Sequence, residues 1–255
     1  MSDEKEIDLV SSLKGTLQYL EEEGHEEIDL PFEEEVMMQA EQLEKEDAPV
    51  AKKKQNVVPE DVINPRKKKE SLLALRELVV NCTKCSELAK KRTQIVFGAG
   101  NARARLCIVG EAPGRDEDLQ GKPFVGRSGQ LLTKMIEGIG LSREEVFIHN
   151  VLKCRPPENR NPLPEEIELC EPFLLAQLKI IQPKVICCLG TFAAQTLLKT
   201  DKPIGQLRGQ FHDYHGIKLI PTFHPAYLLR NPKGGKEQAW EDLKMVRREL
   251  DKLKK

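Results

Sequence analysis

The chain has 255 residues, 39% of them hydrophobic and 32% charged, enough for one substantial domain and an extension. Its net charge of −1 conceals a split: residues 1–50 carry 17 Asp and Glu against 3 Lys, whereas the remainder carries 37 Lys and Arg against 24 Asp and Glu. No apolar run reaches the roughly 18 residues that a membrane-spanning helix requires, and the acidic start MSDEKEIDLV lacks the apolar core of a secretion signal. The expectation is a cytoplasmic protein without a membrane partner, whose seven cysteines are ligands, nucleophiles or packing residues rather than a disulfide framework. The basic remainder suits a polyanionic partner, because neutralising phosphates releases counterions. A solvated lysine-rich surface would give the same composition.

Residues 1–65 read as an acidic, largely disordered arm and linker ahead of a folded domain over 66–255. Val10, Leu13, Leu17 and Leu20 fall at helical spacing and predict a short amphipathic helix within it. Such an arm serves as a solubilising tail, a docking element for a protein partner, or an acidic mimic that covers the basic face. AKKKQNVVPEDVINPRKKK reads as flexible linker. SLLALRELVV then predicts a helix running into Cys82 and Cys85, and RLCIVG a buried strand ended by glycine. After the loop EAPGRDEDLQGKPFVGRSG comes a helix, QLLTKMIEGIG, stopped by Gly138 and Gly140. VFIHN is a second strand ending in Asn150. A proline-rich loop leads to a helix starting at Pro164, where a first-turn proline fits. KVICCLG is a third strand, TFAAQTLL a helix, and HDYHGIKLIPTFHP contains a final strand ending at His224. The last helix, about 236–253, places Trp240, Leu243, Val246 and Leu250 on one face.

Strands alternating with helices predict an α/β fold with a mostly parallel sheet. Ligands of such sheets bind beyond the carboxyl ends of the strands, where Glu111, Asn150, Gly190 and His224 all fall. Cys107, Cys187 and Cys188 lie in apolar strands and read as buried packing residues. Cys82, Cys85, Cys154 and Cys170 lie outside the strands, beginning with a CxxC pair. Four thiolates without histidines suit an iron–sulfur cluster or a structural zinc, and spacing leaves both open.

Four segments stand in order: GEAPGRDEDLQGKPFVGRSGQLL (110–132), NVLKCRPPENRNP (150–162), CLGTFA (188–193) and PTFHPAYLLRNP (221–232). Together they resemble family 4 uracil-DNA glycosylases, the iron–sulfur type of bacteria and archaea, over roughly Ser71 to Lys254. The resemblance implies a three-layer α/β/α sandwich with a mostly parallel central sheet. It implies a 4Fe-4S cluster on Cys82, Cys85, Cys154 and Cys170. It also implies a monomer at the bacterial nucleoid that flips uracil out of single- and double-stranded DNA and leaves an abasic site for base excision repair. No lysine stands where a strand-cleaving lyase would need one, so the expected enzyme is monofunctional.

The residues that match the family motifs suit that chemistry. A flipped base needs a flat apolar surface, which Phe124 in KPFVG supplies. A side-chain amide can donate to uracil O4 and accept from N3–H, a pattern that cytosine reverses, and Asn150 matches the family's discriminating asparagine. Glu117 matches the glutamate that fills the space of thymine's methyl group. Glu111 and Ala112 match positions lining the base. Negative charge growing on uracil O2 needs a fixed donor in a dry pocket, the role implied for His224. Leu228 is placed to wedge into the vacated stack, with Arg230 and Lys233 near phosphates; Arg155 and Arg160 fit that role or an ordinary solvated loop. Ala112 stands where other families carry a water-orienting aspartate, so Glu111 ranks first for that task and the substrate phosphates second.

Overall fold

Apolar runs bounded by glycine or polar residues become the centre of one six-stranded sheet in the computed structural model, which describes residues 58–231 and 234–252. The strands are β1 (Ala99–Gly100), β2 (Leu106–Gly110), β3 (Phe147–Asn150), β4 (Val185–Leu189), β5 (His212–Tyr214) and β6 (Ile217–Thr222). Their spatial order is β1-β3-β2-β4-β6-β5. The four inner strands are parallel, and the short outer strands β1 and β5 run antiparallel to their neighbours.

The helices are α1 (Lys68–Val80), α2 (Ser86–Lys91), α3 (Arg115–Gln120), α4 (Arg127–Gly138), α5 (Pro164–Ile181), α6 (Thr191–Leu198), α7 (Ile204–Leu207), α8 (Pro225–Arg230) and α9 (Lys236–Lys252). Strand side chains alternate in direction, and this divides the core in two. Cys107, Val109, Ile186 and Cys188 pack with α1, α5 and α6 on one face. Leu106, Ile108, Val185 and Cys187 pack with α4, α8 and α9 on the other. This is the expected three-layer α/β/α sandwich, and Cys107, Cys187 and Cys188 are packing residues as their strand positions suggest. No described helix is long and apolar enough to cross a membrane.

The structure departs from the sequence reading at its short elements. The outer strands were not foreseen, because two or three residues carry no periodicity. The final strand ends at Thr222, and His224 stands two residues beyond it as the N-cap of α8. Helix α3 lies inside what reads as one long loop; glycines flank it, and its carboxylates make its first turn. Trp240 is 39% exposed, so the buried stripe of α9 runs through Ala239, Leu243, Val246 and Leu250 instead. The tryptophan edge lies against Gly138, at the end of α4.

The expected boundary at residue 65 also moves. Val58 is buried in the first core face, and Val62 and Ile63 pack against it. Ser71 Oγ donates to the Asn64 carbonyl at 3.1 Å and accepts the Asn64 N–H at 3.2 Å. Residues 58–65 therefore belong to the folded body, because their apolar side chains have a face to cover. The helix expected over 10–20, like His25 and Lys233, lies outside the described residues. A chain beginning at Arg66 is expected to melt roughly 4–8 °C below one beginning at Val58, since a buried valine and its neighbours contribute about 2 kcal/mol. Equal melting temperatures by calorimetry would return these residues to the linker.

Candidate active site

Beyond the carboxyl ends of β2, β3, β4 and β6 lies a cavity of about 590 Å³. Its walls include Glu111, Ala112, Glu117, Phe124, Asn150 and His224, with Arg230 beside them. Every residue that the sequence assigns to base binding is therefore in one place. The parallel ladder brings them together and continues past the strands: Val151 N–H donates to the Gly110 carbonyl at 2.9 Å and Leu152 N–H to Glu111 at 3.0 Å. The first and second motif loops are thereby joined at their roots.

Phe124 is held in an unusual conformation. Its φ of 52° is left-handed, which costs a bulky residue energy unless its surroundings impose it. Three anchors do so. Glu117 Oε1 accepts from Val125 N–H at 2.8 Å and Gly126 N–H at 3.0 Å, while Oε2 accepts from Gly114 N–H at 3.1 Å. Arg143 donates to the Pro123 carbonyl at 2.9 Å. Gly129 leaves room for the Phe124 carbonyl, which would stand 1.9 Å from a Cβ at that position. The ring ends 5.7 Å from the His224 ring, tilted by 35°. Glu117 thus lines the cavity as expected, and its visible bonds also hold the loop. Arg143 carried no sequence signal, since its partner is a backbone carbonyl twenty residues away in the chain.

Burial sets the charges. His224 is desolvated and lies near Arg230, so its pKa falls to about 4 and the ring is neutral at physiological pH. The Ala226 N–H donates to its Nδ1 at 3.1 Å. The neutral ring therefore carries its proton on Nε2, a donor that sequence could not assign. The same desolvation raises Glu111 to about 7, with Arg230 opposing the shift. Asn150 is 1% exposed, and its amide oxygen has no hydrogen-bond partner among the described residues. A buried polar atom without a partner is costly, and this one belongs to a cavity wall.

The Uracil DNA glycosylase superfamily model matches residues 97–244. The chain belongs to the uracil DNA glycosylase superfamily. A type-4 uracil-DNA glycosylase of Thermotoga maritima is 49% identical over 64% of this chain and 86% of the relative. That of Archaeoglobus fulgidus is 47% identical over the same shares. That of Saccharolobus solfataricus is 45% identical over 64% of this chain and 79% of its own length.

Within this uracil DNA glycosylase fold, the four non-strand cysteines also meet. Cys82, Cys85, Cys154 and Cys170 line one small cavity between α1, α5 and the loop after β3. Among the described residues no three His, Cys, Asp or Glu side chains converge to hold a metal ion. Two observations bear on the disagreement. The four thiols share one small, partly open site, and two N–H donors reach the sulfurs of two of them: Arg92 to Cys154 at 3.1 Å and the Lys153 backbone to Cys170 at 3.3 Å. Burial raises the thiols of Cys85, to about 11, of Cys154, and of Cys170, to about 12, whereas donors aimed at sulfur favour the thiolate, and thiolates around a shared space fit a metal group. Arg92 was not foreseen, because only the fold brings it to Cys154.

Leu228 does not fit its expected part. It is 2% exposed and packs in the second core face. The apolar side chains that α8 exposes are Tyr227 and Leu229, and Tyr227 also lines the cavity. The helical phase turns position 228 inward, which a motif match does not reveal. Arg160 is held by Glu166 at 2.6 Å and Glu87 at 3.2 Å, and Arg155 by Asn159, so both brace the loop.

Gly110 ends β2 behind this cavity. A Cβ there would stand 2.3 Å from Asn150 Oδ1 and 2.5 Å from Phe124 Cζ. Gly110→Ala is therefore expected to lower glycosylase activity by about 100-fold, as displacements of about 1 Å in a catalytic site do. Single-turnover rates on a uracil-containing oligonucleotide would show it, and a wild-type rate would mean that the two side chains are free to move.

Proposed function

We propose that the protein is a uracil-DNA glycosylase that flips uracil out of DNA, hydrolyses its N-glycosidic bond and leaves an abasic site for repair. The observation that carries the reading is the unpartnered Asn150 amide oxygen in a cavity walled by the Phe124 ring and a neutral His224. A group buried without a partner in a cavity selects a ligand that supplies one. Uracil N3–H does so, whereas cytosine presents an acceptor at that position. The names of the type-4 relatives support the same substrate.

Each wall then has a task. Phe124 stacks on the flipped ring. His224 Nε2–H donates to uracil O2 as the base departs with negative charge. Neutrality suits this, because a donor that keeps its proton stabilises the anion without a transfer. Glu111, when ionised, orients water and opposes the positive charge growing on the sugar. Glu117 closes the space beside uracil C5 against a methyl group. Arg230 borders the cavity and contacts phosphate, and Tyr227 takes the wedge position that Leu228 cannot occupy. Among the described residues no lysine lines the cavity, which supports a monofunctional enzyme without sugar capture by a lysine.

Cys82, Cys85, Cys154 and Cys170 would hold a 4Fe-4S cluster. When bound it supplies a rigid cross-link between α1, α5 and the loop that follows Asn150, without a part in bond cleavage. The visible charge-transfer absorbance of iron–sulfur proteins, with iron and sulfide analysis, distinguishes it from colourless zinc. The protein acts as a monomer in the cytoplasm, and any protein partner docks through the acidic arm.

Incubation with a uracil-containing oligonucleotide is expected to yield free uracil and alkali-labile abasic sites, and His224→Ala to lower the rate by about 100- to 1,000-fold. A metal-loaded protein that forms no abasic sites would instead be a DNA-binding module. A fully active His224→Ala variant would overturn the assigned donor.

The rate should also follow the ionisation of Glu111. Its pKa lies near 7, and the ionised form, present above that value, is the useful one. Excision is therefore expected to rise between about pH 6 and 8 and then level. His224, at about 4, stays neutral across that range and adds no limb. Glu111→Gln should remove the rise, and an unchanged profile in that variant would assign the ionisation elsewhere.

A further inference from the structure

Lys153 is 1% exposed and stands among the largest fully buried side chains. Its chain position is between the uracil-reading Asn150 and the cysteine at 154, and its bonds reach both sides. The ammonium donates to the Asn150 backbone carbonyl at 2.6 Å and to Gln177 Oε1 at 2.7 Å. The Lys153 backbone N–H donates to Cys170 Sγ at 3.3 Å, and the residue lines the four-cysteine cavity. Gln177 is itself fixed, donating to the Phe97 carbonyl at 2.8 Å and meeting His149 Nδ1 at 2.8 Å.

A buried ammonium is strongly unfavourable without a negative partner. No carboxylate among the described residues pairs with Lys153. Two of the four cysteines adjoin it: Cys170, whose sulfur accepts its backbone N–H at 3.3 Å, and Cys154, next in the chain. Four thiolates around a 4Fe-4S core in its usual oxidised state carry two net negative charges, so the site supplies what the ammonium lacks. One cation thus faces an excess of negative charge on one side and holds the backbone of the reading residue on the other.

We propose that Lys153 is a positioning residue that couples the four-cysteine site to uracil recognition: its charge is balanced by the thiolates, and its ammonium fixes the Asn150 carbonyl and so the aim of the Asn150 amide. This rests on the proposed function, with Asn150 as the reader and the cysteines as cluster ligands. It adds a reason for metal beside a glycosylase pocket that takes no part in the chemistry. With its counter-charge removed, the lysine is left with the neutral Asn150 and Gln177 acceptors alone to hold it in place.

The test uses the metal-loaded protein and Lys153→Met, which keeps the length and removes the charge. Two readouts are expected to move. The cluster's reduction potential should fall, because a neighbouring buried cation favours the added electron. Single-turnover uracil excision should fall by about tenfold or more, as for other outer-shell groups, yet by less than about twofold when Lys153→Met is added to Asn150→Ala. An unchanged potential, or the same loss in both backgrounds, overturns the coupling. If Lys153→Met does not fold, the wild-type protein carries the test through lysine-labelled nitrogen resonance. One ammonium must be protected from solvent exchange and relaxed by the iron, and absence of that signal overturns the assignment. Wild-type excision by Asn150→Ala alone, or a purified protein without iron, would instead overturn the underlying reading of the site.

Discussion

Three backbone N–H groups from the two ends of a single loop converge on one carboxylate, that of Glu117. Charge-assisted bonds of this type are stronger than neutral ones, and here they draw Gly114 towards Val125 and Gly126. The closed loop places Ala112 at one side of the cavity and Phe124 at the other. It also imposes the left-handed backbone at Phe124, a conformation that a free loop would abandon. The stacking surface, its angle to His224 and the width of the cavity all follow from this closure. Helix α3 exists to present the carboxylate, and its C-terminal Gly121 adopts φ 66° to let the chain turn back.

Burial acts on two neighbouring groups in opposite directions. It lowers His224 and raises Glu111, since in each case the charged form loses its hydration. Near neutrality the histidine is fixed in one state, while the glutamate is poised between two. Arg230 lies near both and pushes each downward. The cavity thus sets a donor that does not titrate near neutrality beside a carboxylate that does.

Much of this was legible in the chain. The two central strands, β2 and β4, are unbroken apolar runs, so their burial on both faces followed from composition, whereas β3 carries His149 and Asn150 and β6 carries Lys218. The motif residues at the strand ends were gathered by the rule that loops at the carboxyl edge share one rim. Proline at 164 marked the start of α5. What escaped depended on contacts between distant segments. Arg143 and Arg92 bond a backbone carbonyl and a sulfur, acceptors that leave no trace in sequence. Leu228 and Trp240 were misplaced because helical phase is fixed by packing: α8 is only six residues long, too short for periodicity to show its buried side. Residues 58–65 looked like linker since lysine-rich runs flank them in the chain, yet their three apolar side chains pack against the first core face.

Gly110 contributes to the cavity by what it lacks. With no side chain behind them, the Phe124 ring tip and the Asn150 amide fill the volume that a methyl group would take. The depth of the pocket is thus gauged from its rear wall, by the strand, rather than at its open mouth. A ring that enters the cavity meets the Phe124 side chain and the Asn150 amide where the strand allows them to stand. Reshaping this rear wall would therefore require moving the sheet edge, a far stiffer element than the loops beside it.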